Sequence, residues 1–316
     1  MDTVGDVLRK PFLPGLTVLI LILLAASPTY APGYVVVLLT DIFMYVIMTV
    51  SWVMFSGPTG YISLATAAFF GIGVYALALL GFVLPLPAVI GIGGLASSCL
   101  ALLVGGLTLR LKGIYFAIFT FGLIELIRNL VLWWEVNRSG TVGRIAVPVH
   151  HNTVYYVMLG ILAMLLLTAY LIKRSRFGLA LQSIGDCEEA AAHIGINVTA
   201  LKTTIFAVSA FFLGASGAIM ATRWTYIDPR IAFNPQYSFM PVLMAMFGGV
   251  GQLYGPILGA TVFTYLEEVL ITKFPYYYML LFGIILVVVL LFLPNGLVGL
   301  IQKWRKGGLV RQRANT

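Results

Sequence analysis

The residues able to do chemistry are few, and most of them stand where water is scarce. Asp41, the pair Glu125 and Arg128, and Glu267 with Glu268 lie inside long apolar runs. A charge in hydrocarbon is costly, so each is a functional position by default. Glu125 and Arg128 are three apart and can neutralise one another on a helix. They read either as a structural ion pair facing a bundle interior or as the border of a polar path that meets a zwitterionic or polar solute. Asp41 is a lone acid that could cap or pair with a neighbouring helix. Glu267 and Glu268 belong near an outer interface, where hydration lowers their cost.

Catalytic constellations are missing. The sequence has no phosphate loop of the G-x-x-x-x-G-K-[ST] kind, so ATP hydrolysis by that route is excluded. It also lacks H-E-x-x-H, G-x-S-x-G and any Cys/His metal spacing. His150 and His151 are too far from His193 to share a site, and Cys99 and Cys187 form no disulfide framework. Asn137-Arg138-Ser139 and Asn197-Val198-Thr199 match a glycosylation sequon that is short and unspecific. Neither an enzyme nor a cofactor is indicated.

The elements that would hold these residues are membrane helices. Of 316 residues 60% are hydrophobic and 9% charged, with mean hydropathy +1.01, too few charges to cover a soluble surface. The net charge of +8 reads as topology signals rather than as a nucleic-acid surface. Ten apolar segments run roughly over 13–27, 34–55, 61–81, 87–109, 114–133, 154–172, 201–222, 237–249, 255–271 and 277–294. The first follows Arg9 and Lys10, but Ala25-Ala26-Ser27-Pro28 is a poor cleavage signal, so it reads as a helix and not a signal peptide. With both termini cytoplasmic, about two thirds of the basic residues fall inside, among them Lys173, Arg174, Arg176 and Lys202. Arg138, Arg144, Arg223, Arg230 and Lys273 fall outside. At about 1.5 Å per residue, segment 237–249 is too short to cross a core about 30 Å thick, which leaves eight- and nine-helix variants open. Residues 1–316 read as one transmembrane domain, with no second domain of useful size.

Glycine marks close approach and breakage. Gly251, Gly255 and Gly259 recur every fourth residue, as do Ala210, Gly214 and Ala218, and such rows let membrane helices pack closely. Residues 56–63 (Ser-Gly-Pro-Thr-Gly-Tyr-Ile-Ser) interrupt an apolar run with turn formers. Irregular backbone at membrane depth is tolerated where protein buries it or a water-filled path adjoins it. Gly60, Ser63, Thr66 and Phe69, with Glu125 and Arg128, are therefore the expected translocation path.

The most polar stretch is the inner loop 173–202. Asp186 can serve as an N-cap, with Glu189 three residues on completing a capping-box-like arrangement. Gly195 supplies the C-terminal stop. Two alanine-rich turns between them are marginal in water alone, so they must dock, on this protein or on a partner.

Glu189-Ala190-Ala191 followed by Gly195 resembles the EAA loop of membrane subunits of ATP-binding-cassette (ABC) importers. Gly57-Pro58-Thr59-Gly60-Tyr61-Ile62-Ser63-Leu64, then residues 67–75, resemble the early signature of LivM-type branched-chain amino acid permeases. Lys112-Gly113-Ile114-Tyr115-Phe116-Ala117 with Glu125 and Arg128 continues the likeness, as do Gly195-Ile196-Asn197-Val198, residues 247–251, residues 255–260 and Leu293-Pro294-Asn295-Gly296-Leu297. The likeness spans about 35–300, in order. Two departures lie near the expected solute route and bear on the substrate: Ala65 and Thr66 stand where the family often has Gly-His, and residues 140–143 read Gly-Thr-Val-Gly where it usually has Thr-Gly-Gly.

The resemblance implies an all-α transmembrane domain of the type II ABC importer kind, with about ten helices, some broken. It implies a bacterial inner-membrane heterodimer with a second permease subunit. Each permease would dock on one of two cytoplasmic ATPase subunits, this chain through Asp186, Glu189, Ala190, Ala191 and Gly195, and a periplasmic solute-binding protein would deliver an amino-acid substrate. A urea or short-amide permease is the nearest competing reading. From another class, an ion-coupled secondary transporter would need coupling charges of its own and often an inverted repeat, which is not evident.

Overall fold

The computed structural model describes residues 12–284 apart from 110, 112, 252, 253, 278, 279 and 282. Segment 277–294 lies almost wholly outside the described residues; Lys112 and the Leu293–Leu297 motif lie wholly outside them. In chain order the helices are α1 (Phe12–Tyr30), α2 (Gly33–Thr59), α3 (Thr66–Leu80), α4 (Leu86–Thr108), α5 (Ile114–Ser139), α6 (His151–Arg174), α7 (Arg176–Asp186), α8 (Glu188–His193), α9 (Val198–Met220), α10 (Pro229–Ala232), α11 (Gln236–Gly248) and α12 (Tyr254–Lys273). The strands β1 (Arg144–Ile145) and β2 (Tyr226–Ile227) pair antiparallel as a two-stranded ribbon.

Five of these spans are long and apolar enough to cross a membrane among the described residues: Gly33–Thr59, Leu86–Thr108, Ile114–Arg138, His151–Arg174 and Val198–Arg223. That supports an all-α, multi-pass membrane protein; the expected count of about ten helices is not confirmed by the described residues. Helix α3 has only 15 residues and α11 only 13, about 20 Å of helix for the latter.

Helix α9 is the centre of the bundle, with 83% of its apolar window buried. Small residues put it there. A Cβ on Gly73 of α3 would stand 1.9 Å from the Gly214 carbonyl oxygen of α9, and one on Gly214 would stand 2.4 Å from the Gly93 oxygen of α4. Helices α3, α4 and α9 thus meet main chain to main chain, and Ala210 and Ala218 of the same row are fully buried. Ser97 of α4 donates to the Phe69 carbonyl at 2.8 Å across this contact. The second small-residue row behaves differently along its length. Gly255 and Gly259 press on α11, where their added Cβ atoms would lie 2.2 Å from Gly249 O and 2.1 Å from Met244 O. Gly251 stands in the intervening turn with open space around it, so it packs no helix, contrary to the expectation.

Helix α2 carries Pro58 inside its last turn and stops at Gly60, in the left-handed region at φ 71°. Residues 60–65 are not helical, and side chains from elsewhere satisfy this broken backbone. The Leu64 N–H donates to Thr120 Oγ1 at 3.0 Å, and at the first turn of α3 the Ala67 N–H donates to Ser238 Oγ at 2.9 Å. Trp52 Nε1 donates to the Ser63 carbonyl at 2.7 Å.

Candidate functional site

At one end of the bundle, α7 and α8 form a hook. In α7 the buried positions Gly178, Leu181 and Ile184 repeat every third residue, and the helix runs on through Asp186. Cys187 then takes an extended conformation at φ −158°, and α8 starts at Glu188 without a side-chain cap. Asp186 therefore ends one helix instead of capping the next, which corrects the expected capping box. The stop is as expected in kind: Gly195 has φ 89°, its N–H reaches Ala192 O at 3.0 Å, and the Ile196 N–H reaches Ala191 O at 3.1 Å. This is a Schellman closure, which needs a left-handed residue at that place. Asn197 then caps α9 by accepting the Ala200 N–H at 3.1 Å. Ala191 is buried with Ile184 and Val198 in a small apolar cluster, whereas Asp186, Glu189 and Ala190 are exposed.

The hook is held to the bundle by residues that sequence reasoning did not single out. Lys202, counted above as a topology charge, is fully buried. Its Nζ donates to Glu188 Oε1 at 2.9 Å and to the Leu109 carbonyl at 3.2 Å, and lies 4.2 Å from the centre of the Tyr61 ring. The Tyr61 hydroxyl donates to Glu188 Oε2 at 2.7 Å. One carboxylate on the hook thus joins the break after α2, the end of α4 and the start of α9. Beside it, a Cβ on Gly185 would stand 2.1 Å from the Pro58 oxygen. The spacing from Glu188 to Lys202, across two helices and a turn, is not a motif, so only the fold reveals the strut.

Ser63, Thr66 and Phe69 converge on a tight cavity of about 10 Å³, room for about one water, beside Ser56, Phe206 and Ser209. Ser56 Oγ is buried there without a hydrogen-bond partner. The rings of Phe69 and Phe206 meet edge to face at 5.1 Å. Gly60 is exposed and lines no part of this cavity. Glu125 and Arg128 do form an ion pair, but with side chains 38% and 29% exposed on α5, the least buried of the five spans. They do not face the bundle interior, contrary to the first reading above, and they do not line the Ser63–Thr66–Phe69 cavity.

At the opposite end, Asp41 is paired with Arg223, 182 residues away. It is not an unpaired acid. This pair, with Glu267, Glu268, Trp224 and Tyr237, lines a wider cleft of about 270 Å³. Nearby, buried Glu135 meets Arg144 at 3.5 Å and accepts the Gly143 N–H at 2.9 Å, while the Tyr226 hydroxyl donates to the Val142 carbonyl. The divergent residues 140–143 are thus tied to the ribbon and stand apart from the Ser63–Thr66–Phe69 cavity. Both cysteines are free and exposed.

A family profile described as the permease component of a branched-chain amino acid transport system matches residues 34–290. The chain belongs to that family. It is 27% identical over 93% of its length to the high-affinity branched-chain amino acid transport system permease protein LivM of Salmonella typhimurium, covering 76% of that protein. To LivM of Escherichia coli it is likewise 27% identical, over 89% of this chain and 74% of the relative. The L-arabinose ABC transporter permease protein AraH of Azospirillum brasilense is 24% identical over 64% of this chain and 63% of its own. No solved structure matches. Membership makes the chain a multi-pass membrane permease of the ABC type, a non-enzymatic subunit in systems whose ATPase activity lies on other subunits.

Proposed function

We propose that this chain is a permease subunit of an ABC importer that carries branched-chain amino acids across the bacterial inner membrane. The observation that carries this reading is the hook, a short exposed helix braced to three parts of a bundle, in a chain whose sequence has no phosphate-loop motif. Residues 173–202 would form the coupling loop of a single permease domain spanning 1–316, with the hook end and both termini in the cytoplasm. One of two ATPase subunits would receive the exposed Asp186, Glu189 and Ala190, with Ala191 and Gly195 shaping the helix behind them.

Force applied to α8 would pass through Glu188 to Lys202 and Tyr61, and so to the start of α9 and the break after α2. That break leads into Ser63, Thr66 and Phe69, which we assign to the solute route. ATP-driven closure of the ATPases would thereby shift the population between inward-open and outward-open states. Glu125 and Arg128 lie on a half-exposed face of α5, where an ion pair against lipid is costly. We assign that face to the second permease subunit of a heterodimer. The ribbon end would face the periplasm and the solute-binding protein.

The test is reconstitution of the chain with a second permease, the two ATPases and the binding protein of the same system. ATP-dependent uptake of labelled L-leucine, L-isoleucine or L-valine is expected. Uptake of urea or acetamide in their place would overturn the substrate assignment. Concentrative uptake by this chain alone on a sodium or proton gradient would overturn the ABC mechanism.

A further inference from the structure

The cleft at the ribbon end has a composition the coupling argument does not use. Asp41, Glu267 and Glu268 face a single guanidinium, that of Arg223. Arg223 is committed to Asp41, and Glu268 accepts the Tyr34 hydroxyl at 2.8 Å. Neither Glu267 nor Glu268 has a cationic partner among the described residues, and half-buried Glu267 makes no hydrogen bond there either. Burying a carboxylate in this way is unfavourable unless it takes up a proton or a cation joins it. A second, independent sign stands one turn earlier on the same helix. Thr264, only 4% exposed, lines the cleft with a hydroxyl that has no partner. Opposite them, Trp224 and Tyr237 lie nearly parallel with ring centres 6.5 Å apart, a wall suited to an organic cation. Among the described residues no three Asp, Glu, His or Cys side chains come close enough together to hold a metal ion.

We propose that this cleft binds the ammonium group of an amino acid, with Glu267 as its counter-ion, Thr264 Oγ1 as a hydrogen-bond acceptor and the Trp224–Tyr237 wall against the ammonium-bearing carbon. The choice of an amino acid rests on the function proposed above; the recognition of an amine rests on the cleft itself. The Asp41–Arg223 pair keeps the guanidinium from filling the place.

The test uses the full chain in lipid nanodiscs, with binding followed by saturation-transfer NMR and competition. The probes are L-leucine, isopentylamine (leucine without its carboxylate) and 4-methylpentanoate (leucine without its amine). The first two should compete for one site and the third should not. A charge-assisted hydrogen bond is strong enough that Glu267→Gln should weaken both amines about tenfold or more. Thr264→Val should weaken them by about threefold, and Glu125→Gln should leave them unchanged. Equal competition by 4-methylpentanoate would overturn the proposal, as would undiminished amine binding in both Glu267→Gln and Thr264→Val when these elute and melt like the parent. A response to sodium or calcium ions with none to the amines would assign an inorganic cation and also overturn it. Amine binding without branched-chain uptake by the assembled transporter would remove the substrate assignment and leave this site standing; leucine uptake with no amine binding would do the reverse.

Discussion

At the scale of single residues, Lys202 has the most demanding environment in the described chain. A fully buried ammonium is tolerable only because a carboxylate, a carbonyl and an aromatic face surround it. Lys202→Met should therefore cost about 2–3 kcal/mol, less than the largest values for buried pairs because the Glu188 side chain keeps 27% exposure. Thermal unfolding in detergent reads the loss. The double variant Lys202→Met with Glu188→Gln should be clearly less destabilised than the sum of the two singles, and strict additivity would mean that the two residues are not coupled. This strut was invisible in the sequence for a physical reason. A lysine next to a run of polar residues is ordinarily a solvated topology signal, and only tertiary packing distinguishes one that is enclosed. The same holds for Asp41 and Arg223, whose pairing across 182 residues no local pattern records. Glu125 and Arg128 show the opposite case: their spacing gave the ion pair, but spacing alone could not say which way the pair faces.

Among the elements, the hook and the helix contacts separate what local pattern can and cannot show. Residues 173–202 stood out as the polar island of an apolar chain, and the glycine stop of α8 was legible because the left-handed conformation favours glycine. The phase of α8 was not legible. One extended residue, Cys187, moves the helix start from the expected Asp186 cap to Glu188, and so makes Glu188 the anchor while Glu189 faces outward. In the assembled transporter, Glu189→Lys and Gly195→Leu should lower solute-stimulated ATP hydrolysis while membrane insertion and expression stay intact; normal ATPase stimulation and uptake in both would count against docking at the hook. The helix contacts allow a sharper contrast. Gly73→Ala and Gly217→Ala should each destabilise by about 1–3 kcal/mol, because a methyl group would collide with the carbonyls of Gly214 and Phe70. Gly91→Ala and Gly106→Ala, with open space around them, should be neutral or gain up to about 1 kcal/mol of helix propensity. Melting temperatures of the four variants settle the comparison.

For the molecule as a whole, composition gave the class and the break at residues 56–63 gave the neighbourhood of the inner cavity, since turn formers inside an apolar run have few other uses. Length was a weaker guide: α3 and α11 are apolar yet shorter than a full crossing, so counting apolar runs does not fix the number of crossings. The chain by itself in proteoliposomes should show no uphill accumulation of L-leucine, and addition of the ATPases, the second permease and the binding protein should confer it. Counterflow and ATP-driven uptake assays on the same vesicles separate the two conditions.

Where α3, α4 and α9 touch, main chain meets main chain at Gly73, Gly93 and Gly214, a contact tight enough that the three should move as one wedge. Any change of shape that lets cargo through must then be taken up outside the wedge. Two joints that flank it are Gly60, between α2 and α3, and Gly113, between α4 and α5, both at positive φ. Stiffening either joint should stall the machine while leaving every wall of the passage intact.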